Sequence, residues 1–264
     1  MAPESSEVLL ECVQKRGELL AEIRDGTVEK RDLTDSLPVS RSTVNRAISE
    51  LTELEIVRER AGDCELTLYG ESLYQSYRRF IHLYDKLLAA KPLLVNLPSS
   101  FPFDYDVLRS ATVHVCERPD PRKPLTALHS RVEDGDEVQV LSSVVMPATV
   151  ELYYEQITEQ NLTAEFTLSA FVLEHLLSEY PEKTRTVLEL EHTTFHTIEE
   201  DLTFELVVVD GTEVWFGVYD ERGRIVGAFV ADTSTAIEWA ESLYADFRDG
   251  SSPIASSRGK FDMG

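Results

Sequence analysis

Apolar positions along the chain change their spacing twice, and the changes divide it into a helical first part and a mixed second part. Residues 6 to 25 place Val8, Leu9, Cys12, Val13, Leu19, Leu20 and Ile23 at helical spacing, which predicts a first helix. Leu33 and Leu37 share a face of a short second helix, and Pro38 stops it because proline cannot extend the backbone ladder. Ser40 is placed to cap the next helix, whose buried stripe is Val44, Ala47, Ile48, Leu51 and Leu54. Ile56 and Val57 then lead into a hairpin that turns at Ala61, Gly62 and Asp63 and returns through Leu66 and Leu68 to Gly70. From 71 to 91, Leu73, Tyr77, Phe80, Ile81, Tyr84, Leu87 and Leu88 form one long helical stripe, and the proline-rich stretch 92 to 106 reads as a linker.

The second part alternates element types. Strands are expected at Ala111–Glu117, Glu137–Val145, Leu162–Leu168 and Leu188–Thr194, with a loop at 119 to 124 and helices at 148 to 160 and 170 to 179. A three-strand meander follows at Phe204–Val209, Val214–Tyr219 and Ile225–Ala231, turning at Asp210-Gly211 and at Glu221-Arg222-Gly223. Ser234–Arg248 is a last helix, and the polar, Gly/Ser-rich end is expected to be disordered. The fold class is therefore a two-domain combination of α+β and α/β. Its predicted parts are a winged helix-turn-helix at 1–70, a connecting helix at 71–97, a mixed α/β sensor domain at 98–249 and a tail at 250–264.

The most informative chemistry lies on the helix that Ser40 would cap. Arg41, Ser42, Asn45 and Arg46 fall on the face opposite the apolar stripe, near the helix N-terminus, at i, i+4 spacing. Arg can bridge guanine O6 and N7, Asn can bridge adenine N6 and N7, and Ser suits either base. With Ser40 and Thr43 beside them, and Arg58 and Arg60 on the hairpin placed to meet phosphates, these residues predict a reader of double-stranded DNA. A small reader gains specificity by pairing, so a homodimer on a pseudo-palindromic operator is expected; the stripe of helix 71–91 either forms its seam or packs on its own domain, the C-terminal domain being the other place for a seam.

Residues 39–57, VSRSTVNRAISELTELEIV, followed by LTLYG, resemble the common winged-helix regulator signature: an "S-R-x-T-V" helix start, then "L-x-x-L-x-I-V", and a wing ending "L-T-x-x-G". Glu55 departs from that pattern, which has glycine there. The stretch from Asp201 to Arg248 resembles the regulatory domain of an archaeal winged-helix family first associated with methanogen regulators. The likeness rests on an "A-x-E-W-A-E-x-L-[FY]" run matched by Ala236, Glu238, Trp239, Ala240, Glu241, Leu243 and Tyr244. The order, reader first and sensor second, is similar to that of the sugar-responsive TrmB-like regulators of archaea. The resemblance implies an effector-binding domain but supplies no ligand motif.

Charge complicates a DNA-binding reading. There are 48 acidic and 25 basic residues, for a net charge of −23, and a strongly acidic chain is repelled by phosphates. The distribution eases the conflict. Residues 1–97 hold 17 acidic and 13 basic groups, and 98–264 hold 31 and 12, so the nets are −4 and −19. Arg outnumbers Lys 18 to 7. The balance resembles that of proteins from extreme halophiles, where molar salt shortens the Debye length to about 3 Å and suppresses the counterion-release contribution to affinity. An acidic chain could instead use its winged helix as a protein-interaction module in a non-DNA adaptor.

Candidate effector residues come from strand-to-helix junctions, where α/β sheets open to ligands. These are Ser142 and Ser143, Thr167 and Ser169, and Asp232, Thr233 and Ser234. An anionic or polyhydroxyl small molecule would find backbone amides there, although Ser and Thr at such places also serve as helix caps. No metal or other cofactor is expected. His192 and His196, if on a strand, would lie roughly 13 Å apart, and His114 near Cys116 lacks further ligands. No nucleophile elbow, phosphate loop, His-Glu-x-x-His or phospholipase D-type His-x-Lys pair occurs, although related sensor domains have been likened to that last fold, so no enzyme is expected. Three cysteines without framework spacing, no signal peptide and no apolar run of about 18 residues lead to the expectation of a cytoplasmic chain without membrane contact.

Overall fold

A computed structural model describes residues 5–24, 26 and 28–254. The chain divides into two compact units, Met1–Asp85 and Lys86–Gly264.

In the first unit the predicted opening helix is two, α1 (Ser6–Lys15) and α2 (Gly17–Arg24). The break falls at Arg16, whose guanidinium grips Glu50 at 2.6 Å, just ahead of a glycine that weakens helix continuity. A two-residue strand β1 (Val28–Glu29), absent from the expected elements, precedes α3 (Lys30–Ser36) and α4 (Arg41–Glu53). The hairpin β2 (Val57–Arg60) and β3 (Asp63–Leu66) turns through Ala61 and Gly62, both at positive φ, and β1 completes a sheet of order β1-β3-β2. The core joins Leu20, Ile23, Leu33, Ile48, Leu51 and Ile56, each at most 1 % exposed.

Both ends of α4 are capped by sequence features already singled out. Ser40 Oγ accepts the Thr43 amide at 3.2 Å. At the other end the Glu55 amide donates to Thr52 O at 3.0 Å and the Ile56 amide to Leu51 O at 2.9 Å, a Schellman closure. Glu55, in the position that the signature gives to glycine, takes φ 57. Ile56 O then receives the Thr67 amide at 3.0 Å, and Thr67 Oγ1 caps the Gly70 amide at 3.0 Å. A Cβ on Gly70 would lie 2.0 Å from Ile56 O, so that position admits only glycine. Strand β3 therefore stops at Leu66, and Leu68 is not a strand residue: it opens α5 (Leu68–Leu94), earlier and longer than the predicted 71–91.

The second unit has α6 (Tyr105–Ser110), β4 (Thr112–Val115), α7 (Lys123–Asp134), β5 (Glu137–Ser142), α8 (Pro147–Glu159), β6 (Thr163–Ser169), α9 (Ala170–Glu179) and α10 (Pro181–Leu188). It continues with β7 (Thr193–Ile198), β8 (Phe204–Val209), β9 (Glu213–Tyr219), β10 (Ile225–Ala231), α11 (Ser234–Asp249) and β11 (Ser252–Pro253). One sheet of order β11-β7-β6-β5-β8-β9-β10-β4 joins parallel β5, β6 and β7 to the antiparallel meander β8–β10. Helices α7, α8, α9 and α10 cover one face, and α6 and α11 the other.

Four expectations for this unit need correction. The 92–106 stretch is no linker: Phe101 and Phe103 stack on Phe216, Phe229 and Trp239 at 5.1–6.5 Å, and Trp239 Nε1 donates to Pro102 O. Helices α6, α7 and α10 were not anticipated; the last two begin at Pro within the first two helical positions, where the missing N–H is not needed. The strand expected at Leu188–Thr194 runs instead over Thr193–Ile198, because Pro181 starts a helix that lasts to Leu188. Of the expected tail, Ser252 and Pro253 pair with β7, and residues 255–264 lie outside those described. The meander and its Asp210-Gly211 turn stand where expected, with both turn residues at positive φ.

A non-glycine residue held in the left-handed region stores strain. Glu55→Gly should therefore stabilise the chain by roughly 0.5–1 kcal/mol, read as a higher urea midpoint with unchanged slope.

Candidate functional site: an exposed helix edge and a buried acidic pocket

On α4, the apolar stripe Val44, Ala47, Ile48 and Leu51 is buried, while Arg41, Ser42, Thr43, Asn45 and Arg46 are all exposed. The cap hydroxyl of Ser40 lies 2.8 Å from both Ser42 Oγ and Thr43 Oγ1, so these three form a small hydroxyl cluster at the helix start. Among the described residues Arg41 and Arg46 have no ion-pair partner, so their guanidinium groups are available. The hairpin arginines differ. Arg58 faces Glu65 across the β2–β3 pair at 3.3 Å, whereas Arg60 is exposed and unpaired among the described residues.

The residues expected to form an effector crevice do not converge. Ser143 Oγ accepts the Leu202 amide at 3.0 Å, Thr167 Oγ1 donates to Tyr244 Oη at 3.2 Å, and Ser169 Oγ caps Val172. Thr233 Oγ1 contacts Ser110 Oγ at 3.1 Å, and Asp232 and Ser234 are exposed. Capping and interlayer hydrogen bonds account for most of the set. Only Ser142 lines a cavity, and there its Oγ donates to Val144 O at 3.1 Å.

That cavity, about 90 Å³, lies between the sheet and helices α8, α9 and α10. Val140, Phe166, Leu168, Val172 and Phe195 form apolar walls. At its polar end is Glu205 on β8, 3 % exposed. It sits across from Gly217, whose absent side chain leaves room for the Trp215 ring, where a Cβ would come within 2.2 Å. Tyr219 Oη donates to Glu205 Oε2 at 2.6 Å. Tyr153 Oη, from α8, is buried against the same cavity and has no hydrogen-bond partner among the described residues. Burial raises the Glu205 carboxyl to about 7, although the Tyr219 bond pulls the other way. Burial also pushes Tyr153 and Tyr219 upward, each aided by the nearby Glu205 charge.

Residues 121–250 match the family model of the methanogenesis regulatory protein FilR1, middle domain. Residues 4–86 match a second model, the HVO_A0261 N-terminal domain. No curated protein matches. Among solved structures, TrmBL2, an archaeal chromatin protein, aligns over 95 % of this chain and 100 % of its own at 10 % identity and TM-score 0.42. NucT from Helicobacter pylori (12 %, TM-score 0.41) covers 55 % of this chain and 98 % of its own. Nuc from Salmonella typhimurium, a phospholipase D family member (9 %, TM-score 0.39), covers 56 % and 99 %. The resemblance to methanogen regulators read from the Ala236–Tyr244 run thus holds for the unit that contains it.

Within residues 121–250 the sequence reading missed Glu205, Tyr153 and Lys183, all of which line the cavity. Glu205 had a signal: it is the lone acid in the run FELVVV, otherwise entirely apolar. Tyr153 had none, since one tyrosine on an amphipathic helix reads as packing. His192 lies outside β7, and its Nε2 is 3.2 Å from Ile157 O, so the strand spacing assumed for the histidine pair does not apply. Among the described residues no three His, Cys, Asp or Glu side chains form a metal-holding group.

The raised Glu205 carboxyl has a consequence for stability. Between its ordinary value of 4.5 and about 7, the folded chain holds a proton that the unfolded chain has lost. Stability from this group is complete at acid pH and falls as pH rises through 7. Glu205→Gln should remove that slope, gaining on the order of 2–3 kcal/mol at pH 8 relative to its difference from wild type at pH 5. Urea melts of both chains at the two pH values check this.

Proposed function

We propose that the chain is a sequence-specific, DNA-binding transcriptional regulator, acting as a homodimer on a pseudo-palindromic operator and modulated through its second unit. The observation that carries the reading is the α4 edge. One side of the helix builds the core, while the other presents Arg41, Ser42, Asn45 and Arg46 to solvent. The winged helix-turn-helix order of α3, α4 and the β2–β3 hairpin supports entry of α4 into a major groove, with its N-terminal turn against the bases. The match to the FilR1 middle-domain model supports a regulatory role for the rest. In this reading Arg60 meets a phosphate directly, and Arg58 first exchanges Glu65 for one. The exchange costs little, since the pair lies at the surface with its side chains 52 and 40 % exposed.

The test is a mobility-shift assay against genomic fragments in low and molar KCl. Asn45→Ala or Arg46→Ala should weaken the selected fragment by about 1–3 kcal/mol and relax sequence preference. Full affinity in both variants would remove α4 as the reading face. Retardation of no fragment at either salt would favour a protein-binding adaptor, the alternative suggested by the charge of −23.

Dimerisation rests on α5. Phe80, Tyr84 and Leu88 follow one another at four-residue steps, exposed by 41, 56 and 72 %. Phe80 and Tyr84 stack at 4.5 Å, so the row presents a continuous apolar ridge for a second copy. Tyr84→Asp should shift sedimentation equilibrium from dimer toward monomer. A variant that remains dimeric places the seam elsewhere.

A further inference from the structure

The polar groups around the cavity divide into those already satisfied and those left open. Thr149 Oγ1 donates to Met146 O at 2.9 Å, and Thr184 Oγ1 contacts Leu176 O and Tyr180 O at 3.0 and 2.9 Å. Ser142 is engaged with Val144, as described. Lys183, at the rim, is ion-paired with Glu151 and lies 4.9 Å above the Tyr154 ring. Two groups remain. Among the described residues Tyr153 Oη has no partner, and Glu205 takes a single hydrogen bond, from Tyr219, although a carboxylate can accept several. Both side chains are at least nine-tenths buried, and both face the same apolar space.

This inventory selects a ligand chemistry. An anion would meet the Glu205 carboxylate and find the one nearby cation already occupied by Glu151. A hydrocarbon would leave both polar groups bare, at a cost for each. A group with several donors and a positive charge would satisfy both, and a buried charge pair is favourable only when its hydrogen bonds are filled in this way. Size sets a second limit. The cavity is smaller than the roughly 150 Å³ space that accepts benzene, and a four-carbon amine is no smaller than benzene, so a tail of one or two carbons is suitable.

We propose that this cavity is a binding site for a short-chain primary amine, its ammonium held between Glu205 and Tyr153 and its tail against Val140, Phe166, Leu168 and Val172. The site's purpose rests on the regulator reading, because an occupied cavity would fix α8 against the sheet and so bias the second unit. Its existence does not, and binding is measured on the full chain without DNA. A carboxylate near 7 also supplies a signature: a bound cation drives off its proton, so binding at pH 7 releases protons.

Calorimetric titration of the full chain at pH 8 in molar KCl, with ethylamine, ethanol and acetate, tests this. The amine should bind at least about tenfold tighter than the alcohol, and the acid should give no heat of binding. At pH 7 the amine's apparent enthalpy should change with the ionisation enthalpy of the buffer, in the direction of proton release. Glu205→Gln should cost the amine at least about tenfold and leave the alcohol unchanged. Tyr153→Phe, which keeps the ring, should weaken the amine less. Acetate binding as well as the amine, or silence from all three probes, would overturn the proposal. So would unchanged amine affinity in a folded Glu205→Gln chain. If that variant does not fold, the ranking of the three probes on wild type decides. None of these failures touches DNA recognition, which the mobility-shift assay reads separately.

Discussion

Both faces of the eight-stranded sheet are covered by helices, and that constraint governs what its strands can contain. A strand with water on one side alternates apolar and polar residues; one covered on both sides has no place for the polar set. Strand β8 is buried at all six positions and β9 at six of seven, and the sequence there is almost continuously apolar. Each polar exception in such strands carries a desolvation cost that some partner must offset. Thr167 meets Tyr244 across one face, and Glu205 meets Tyr219 on the other. The two faces are filled differently. Phe101, Phe103, Phe204, Phe216 and Trp239 pack densely beneath α11, whereas the face under α8 and α10 retains unfilled volume.

Where local physics decides the outcome, the sequence was readable. The Ser40 cap, the α4 stripe, the hairpin turns and the meander each depend on residues within a few positions of one another, and each stands close to its expected place. The elements that eluded a linear reading depend on distant partners. Strand β1 exists because β3 offers it an edge, with Val28 opposite Cys64 and Glu29 opposite Asp63. The 98–104 segment has the prolines of a linker but is fixed by aromatic rings more than a hundred residues away. The start of α10 was obscured because Pro181 reads as a stop for one helix as readily as a start for another.

The candidate sites divide along the same line. The α4 edge is a property of one helix, so its exposure followed from periodicity. The cavity is assembled from four strands and three helices, and no spacing in the chain links Tyr153 to Glu205. Junction serines and threonines were a poor guide: Ser169 caps α9, while the hydroxyls of Ser142, Ser143, Thr167 and Thr233 are engaged with Val144, Leu202, Tyr244 and Ser110. An acid inside an unbroken apolar strand is the better signal: burial without need is costly, and an ionisable group kept there calls for a reason.

The Ile56 carbonyl links the end of α4, by way of Thr67, to the first turn of α5, where Gly70 lies flat against it. No spare residue separates the hairpin from the long helix, so there is no hinge at that junction to absorb a rotation. Torque applied along α5 would reach α4 undamped, as through a keyed shaft.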